Sequence, residues 1–346
     1  MIDLEKFNEL FHVPPAMRKY IKLVVEPREM ELILALNGET LDPPEIARRL
    51  GLPVEEAAAF LARSYERHVT TKIVGGEKVG YVFDYVDETG REIRYAPAKF
   101  YDRLDPLTMN ENWTDIPEDV RKEISEWWLT EYIAKVRPIV EKIKEDPEAY
   151  FQIKQKDFLL VEQALEQVEA AEFHVVVNCD CRSSELACNH MKEGCIRFDD
   201  GARYTVGRGL GRVLTKDECK KLVLETDRDG LMHIGALGWK EHGLFGFCNC
   251  CTCCCFPLRT AERLHSQKQY PRSHYLAVRD LEKCIHCGLC TKRCQFHAFF
   301  KGEDKLEIKG KLRTRVLFDP EKCYGCGLCA SACPQGAIVM KKLEQG

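Results

Sequence analysis

Nineteen cysteines, none of them before Cys179, carry most of the chemistry this chain can do. Thiolates are soft ligands that hold zinc or build iron–sulfur centres. Eight of them form two runs, Cys284-x2-Cys287-x2-Cys290-x3-Cys294 and Cys323-x2-Cys326-x2-Cys329-x3-Cys333, and Pro334 follows the second. Spacing this compact lets three thiolates of one loop cap three irons of a cubane. Zinc sites pair two C-x2-C knuckles, so two triple runs favour iron over zinc. Gly288, Gly325 and Gly327 sit inside the loops, where the lack of a Cβ lets backbone N–H groups approach cluster sulfides as cofactor-binding positions.

The two runs resemble the bacterial two-cluster ferredoxin over about residues 275–342. In that family the fourth cysteine of each run ligates the other cluster. The resemblance implies one [4Fe-4S] cluster on Cys284, Cys287, Cys290 and Cys333, and a second on Cys323, Cys326, Cys329 and Cys294. Two features depart from the family: Gln295 replaces the usual proline after the fourth cysteine, and an insert, residues 299–318, separates the halves. Neither removes a ligand.

The other cysteines lie upstream. Cys179, Cys181, Cys188 and Cys195 fall within one short stretch and suffice for one cubane; Arg182 among them can donate charge-assisted hydrogen bonds to sulfides or a bound anion. Cys248, Cys250, Cys251, Cys253, Cys254 and Cys255 follow in one tract. In extended chain Cys248, Cys250 and Cys254 would share one face, and Cys251, Cys253 and Cys255 the other, so no single cubane collects all six. The tract therefore supplies a whole extra cluster or feeds ligands to one shared with residues 179–195. Adjacent cysteines also line non-cubane clusters in heterodisulfide-reductase-like proteins, whose own motif is absent here. A metal-free thiol patch is disfavoured beside so many ligands. Cys219, within TKDECKKLVLE, reads as a small buried residue, and His190 and His286 as neighbours or surface groups rather than ligands. Gly207-Arg208-Gly209-Leu210-Gly211-Arg212 has G-x-G-x-G spacing, which suits a tight turn better than a nucleotide loop.

Elements that position these residues follow from periodicity and breakers. A buried strand, residues 174–177, delivers the first cysteines at its end, after an amphipathic helix over 159–172. Before it, a connector helix starts near Asp115–Pro117, carries Trp127 and Trp128 at core spacing, and contains Pro138, which should kink it. Residues 27–86 read as three helices, 27–38, 42–52 and one opening at Pro53, then two strands around Gly75-Gly76. That order resembles a winged helix-turn-helix. Its third helix would present Val54, Glu55 and Glu56 to a groove, and residues 1–90 hold 11 Lys/Arg against 16 Asp/Glu, so a protein-docking module is favoured over nucleic acid.

The expected fold is α+β and multidomain: a winged helix-turn-helix over 1–90, a helical connector over 91–172, a central Cys-rich α/β domain over 173–256, a linker over 257–274 and a two-cluster ferredoxin-like domain over 275–346. Apolar residues make up 45% and charged residues 31%, which excludes disordered and low-complexity classes. A chain of 346 residues is too long to be a disulfide scaffold. The net charge of −4 argues against coating nucleic acid or anionic lipid. The sequence has no apolar run long enough for a bilayer span, and its amino end lacks a signal-peptide core, so a cytoplasmic setting is expected.

As a whole the chain resembles cysteine-rich ferredoxin-like proteins of anaerobes that join a winged-helix segment, a C-x-C-R strand end, a cysteine tract and a two-cluster ferredoxin. The resemblance implies electron transport without naming a reaction. The expected cofactors are two [4Fe-4S] clusters in the carboxyl-terminal domain and one or two in the central domain. The expected function is an iron–sulfur electron carrier that relays single electrons to a partner oxidoreductase, as a subunit or partner of a larger complex. No acid–base dyad, triad or flavin site accompanies the cysteines, so no catalytic residue is assigned. Two alternatives are a reductase with a catalytic cluster in the Cys248–Cys255 region and a redox-sensing DNA-binding regulator.

Overall fold

The computed structural model describes residues 2–79, 86–146 and 156–343. The chain divides into two compact units: Met1–Thr130 with Ser183–Glu185 and Asp200–Val213, and Glu131–Arg182 with Leu186–Asp199 and Leu214–Gly346.

In the first unit, helices Pro27–Leu36, Pro43–Leu50 and Val54–Glu66 precede the strand Thr70–Val74. The second helix stops at Gly51 as expected, and the first one residue early, at Asn37 rather than Gly38. Asn37 and Gly51 take the left-handed conformation that closes the first two, and Asp42 caps the start of the second by accepting from Glu45 N–H. The tight turn at Gly75-Gly76, both at positive φ, leads to the short strand Glu77–Lys78. Ile93–Pro97 pairs with Thr70–Val74 on the other side, so three antiparallel strands follow three helices. Most of the remainder of the expected second strand, residues 80–85, lies outside the described residues. Trp128 is buried in the core as its spacing suggests, and Trp127, half-buried, packs edge-on against Phe100. The G-x-G-x-G segment is also structural here. Arg208 is buried, donates to the Tyr65 carbonyl at 2.8 Å and lies 3.9 Å over the Tyr65 ring.

The second unit is built on neighbouring strands in the order Asp157–Leu159, Met232–Gly235, Gly246–Cys250, Glu193–Phe198, His174–Asn178. Each of these neighbours is antiparallel to the next, which corrects the α/β expectation for the central domain. The chain reverses between His174–Asn178 and Glu193–Phe198 and again between Met232–Gly235 and Gly246–Cys250, so these successive strands meet antiparallel. Helices Val161–Ala170 and Lys216–Asp229 cover the sheet through Ala164, Val168, Leu222 and Val223. Cys219 lies in this apolar layer, fully buried, as expected for a small core residue. The long helix Glu118–Glu145 runs on through Pro138. Residues 257–274, expected as a linker, instead begin within the helix Phe256–Arg263, which buries Phe256, Leu258 and Ala261.

The carboxyl-terminal part repeats one plan twice. A cysteine loop enters a short helix, Leu289–Arg293 or Leu328–Ser331, through a glycine in the left-handed conformation, Gly288 or Gly327. Strands Tyr275–Arg279 and Ile338–Lys342 pair across the repeat, and the insert forms a hairpin of Phe299–Ile308 with Lys311–Phe318.

Candidate metal centres

Cys284, Cys287 and Cys290 line a pocket together with Cys333 from the second run. The pocket encloses about 360 Å³ of space unfilled by protein, part of it open to solvent. Arg279, Val316, Ala337 and Ile338 are among its other lining residues. Cys290 and Cys329 are buried, and burial pushes the Cys290 thiol up to about 11. Cys326 is pushed up to about 12 by burial first, then by the Cys294 and Cys323 thiols beside it. Burial also raises Cys329, with Cys326, Cys323 and Cys294 adding to the effect. Cys294 thus acts on the thiols of the second run, and Cys333 lines the pocket of the first. The Cys294 sulfur accepts from Ala298 N–H at 3.2 Å, and the Cys333 sulfur accepts from Ala337 N–H at 3.3 Å, one bond in each half of the repeat.

These donor sets fit cubanes: eight thiols in two groups, three of them buried, with a backbone N–H aimed at sulfur in each half. Gly325 serves the loop in a way its sequence position did not reveal. A Cβ there would stand 2.1 Å from the Tyr275 carbonyl oxygen, so the loop needs glycine to lie against the strand. The matching position in the first run is His286, which holds φ +49 and accepts from Val316 N–H at 2.9 Å.

In the central part, ten thiols sort into two groups. Cys188, Cys251, Cys253 and Cys254 place their Sγ atoms within 4.8 Å of one another. Cys179, Cys181, Cys195, Cys248, Cys250 and Cys255 form the other group, linked pairwise: Cys179 meets Cys181 and Cys195, Cys195 meets Cys248, and Cys250 meets Cys248 and Cys255. The compact set Cys179, Cys181, Cys188 and Cys195 is thus not what the fold gathers, because Cys188 turns to the tract. The face assignment also changes at two positions. Cys248 and Cys250 share a face of the strand Gly246–Cys250, but the chain then turns, closed by Cys255 N–H donating to the Cys251 carbonyl at 3.2 Å. The turn exchanges Cys254 and Cys255 between groups.

Charge around the six-thiol group explains its titration. Cys248 is held well below the ordinary thiol range by hydrogen bonds from Cys195 and Cys250, with Arg197 and Lys156 adding to them against burial. Cys195 is driven up by its contacts with Cys179 and then Cys248, and Cys250 by those with Cys248 and then Cys255, with burial adding to both. Sequence reasoning missed both cations. Arg197 had a signal, since it lies two residues past Cys195 on one strand and so on the same face. Lys156 had none. Arg182, expected as a cofactor-binding residue, is buried and donates to the carbonyls of Met191 at 2.6 Å and Asn249 at 2.8 Å, and contacts Cys251 Sγ at 3.8 Å. His190 pairs with Asp229 at 3.0 Å rather than with any thiol.

Gln295, the departure from the ferredoxin pattern, accepts from Thr252 N–H at 2.8 Å and donates to the Gly230 carbonyl. It ties the residue after Cys294 to the turn of the cysteine tract. Close by, Phe296 stacks on Tyr324 at 3.8 Å between ring centres, and Phe158 meets both edge-on. One apolar core includes Phe158, Cys250 and Cys255, with Cys248, Phe296, Tyr324 and Cys326 packed against it.

Residues 283–337 match the 4Fe-4S dicluster domain family, and that stretch of the chain is a 4Fe-4S domain. No curated protein and no solved structure matches the chain. Among the described residues, no helix is long and apolar enough to cross a membrane.

Proposed function

We propose that the protein is an iron–sulfur electron carrier that passes single electrons through several [4Fe-4S] clusters to a partner oxidoreductase. One observation supports this above the rest: Cys326 of the dicluster domain packs against the same core as Cys248, Cys250 and Cys255. The cluster on Cys323, Cys326, Cys329 and Cys294 would then adjoin a third cluster in the six-thiol group, with Phe296, Tyr324 and Phe158 filling the space between them. The cluster on Cys284, Cys287, Cys290 and Cys333 would face the surface, through the open pocket, as the entry or exit point. The hairpin carries Lys301, Lys305, Lys309 and Lys311 on exposed positions, which suits an acidic partner. No membrane span and no nucleic acid enter this reading. The first unit, taken as a winged helix, would dock a protein, since Glu55 and Glu56 occupy the first turn of its third helix.

A reductase is the second reading, supported by the six thiols beside Arg197 and Lys156, two more than one cubane uses. An anaerobic reductive titration followed by electron paramagnetic resonance separates the two. The carrier gives three clusters that exchange electrons with one another and with a protein acceptor, without turnover of small molecules. Two isolated clusters, with none in the central part, would overturn the relay.

A further inference from the structure

We infer that Cys188, Cys251, Cys253 and Cys254 form a site for a single tetrahedral thiolate-bound metal ion, zinc or ferrous iron, separate from every cluster. The argument is one of size. Metal–sulfur bonds of about 2.3 Å around one tetrahedral ion set the sulfurs about 3.8 Å apart. Cys188 Sγ lies 3.8 Å from Cys254 Sγ and 3.9 Å from Cys251 Sγ, and Cys253 and Cys254 stand 3.8 Å apart. All four sulfurs lie within 4.8 Å of one another. In a cubane each thiolate caps its own iron, so the separation between irons adds to the sulfur spacing and the thiolates stand wider. The dicluster domain provides the comparison within the same molecule. Among the described residues, no three of its cysteines gather their sulfurs that tightly.

Local structure fits a closed structural site. Three ligands come from one turn, Cys251 to Cys254, and the fourth from the loop after the helix Asp180–Glu185. Four thiolates around a divalent ion leave a charge of −2, and Arg182 offsets part of it by its contact with Cys251 Sγ at 3.8 Å. Leu231 and Met191 pack against the buried sulfurs, while Cys253 is exposed at the rim. Thr252, inside the chelate turn, donates to Gln295. The ion therefore sets the shape of the surface that Gln295 grips.

The test uses the full chain purified anaerobically, with zinc, iron and inorganic sulfide counted in the wild type, in Cys253→Ser and in Cys188→Ser. The expected result is one zinc per chain that resists a chelator in the wild type and is lost from either variant, with iron and sulfide unchanged. In zinc-free medium one iron without accompanying sulfide takes its place, which sustains the inference equally. Loss of about four irons and four sulfides from the variants overturns it, as does wild-type protein that holds neither zinc nor a sulfide-free iron even after zinc is supplied. Zinc-edge X-ray absorption on the wild type stands apart from any folding defect of the variants. It should show four sulfurs at about 2.3 Å and no metal neighbour, and a metal neighbour would refute the site.

Discussion

Replacing Gly325 by Ala probes how tightly the second cysteine loop is built. Its backbone sits at φ +67, where an L side chain costs about 1–2 kcal/mol. The new Cβ would lie 2.1 Å from the Tyr275 carbonyl oxygen and 2.8 Å from its carbon, both backbone atoms that no rotamer can move. Reaching even 3.0 Å requires a retreat of about 0.9 Å by the strand Tyr275–Arg279, which is paired with Ile338–Lys342. Overpacking of this kind adds about 1–3 kcal/mol. Gly288→Ala is the control. It carries the same conformational cost at φ +78, but its nearest neighbour would be Lys301 Cε at 3.8 Å. The two variants should therefore differ by about 1–3 kcal/mol, roughly 5- to 150-fold in the folding equilibrium. Anaerobic iron and sulfide counts with paramagnetic resonance should find both clusters in Gly288→Ala. In Gly325→Ala the Cys323, Cys326 and Cys329 cluster should be missing. Equal behaviour of the two variants would refute the reasoning.

Cys333→Ala should damage the cluster held by Cys284, Cys287 and Cys290 and spare the other; loss of the Cys323–Cys329 signal instead would reverse the assignment of fourth ligands. Electron transfer to an acidic partner should slow as ionic strength rises, and exchanging Lys305 and Lys309 for Glu should flatten that dependence in stopped-flow rates. Gln295→Ala removes the acceptor for Thr252 N–H and should cost about 1–3 kcal/mol in anaerobic denaturant unfolding, with cluster content unchanged. Burial, and then the Arg208 charge, holds His68 well below its ordinary range. The unfolded chain takes up that proton below about pH 6.5, so the stabilising contribution is whole above that pH and is lost as pH falls. Amide protection factors in the first unit, taken relative to the intrinsic exchange rate at each pH, should therefore fall between pH 7 and 5, and much less so in His68→Gln.

Cysteine spacing alone exposed the dicluster domain, because its ligands are local and their separation along the chain sets the loop. The three helices between Pro27 and Glu66 were legible for a similar reason, through Pro27, Gly51 and Pro53, whereas Leu4–Leu10 and Ile21–Val24 before them were not read. The tract from Cys248 to Cys255 was not. Alternation holds only while the chain stays extended, and the turn at Thr252 has no glycine or proline to announce it. Its partner Cys188 is 63 residues from Cys251, a separation that no local pattern encodes. The antiparallel order of the central strands was hidden likewise, since their pairing depends on which distant segment each meets.

The tract has a consequence for the order in which the molecule is made. Cys250 and Cys251 are bonded neighbours, yet they belong to different thiol groups. A chain leaving the ribosome exposes Cys188 and the whole tract before the cysteines from Cys284 onward emerge. The four-thiol group can close on its ion at that stage, with only the six other central thiols left open. Once closed, it withdraws four competing sulfurs from whatever machinery later delivers iron and sulfide. Early closure of one site would thus act as proofreading, keeping cluster assembly from starting on the wrong side of the Cys250–Cys251 peptide bond.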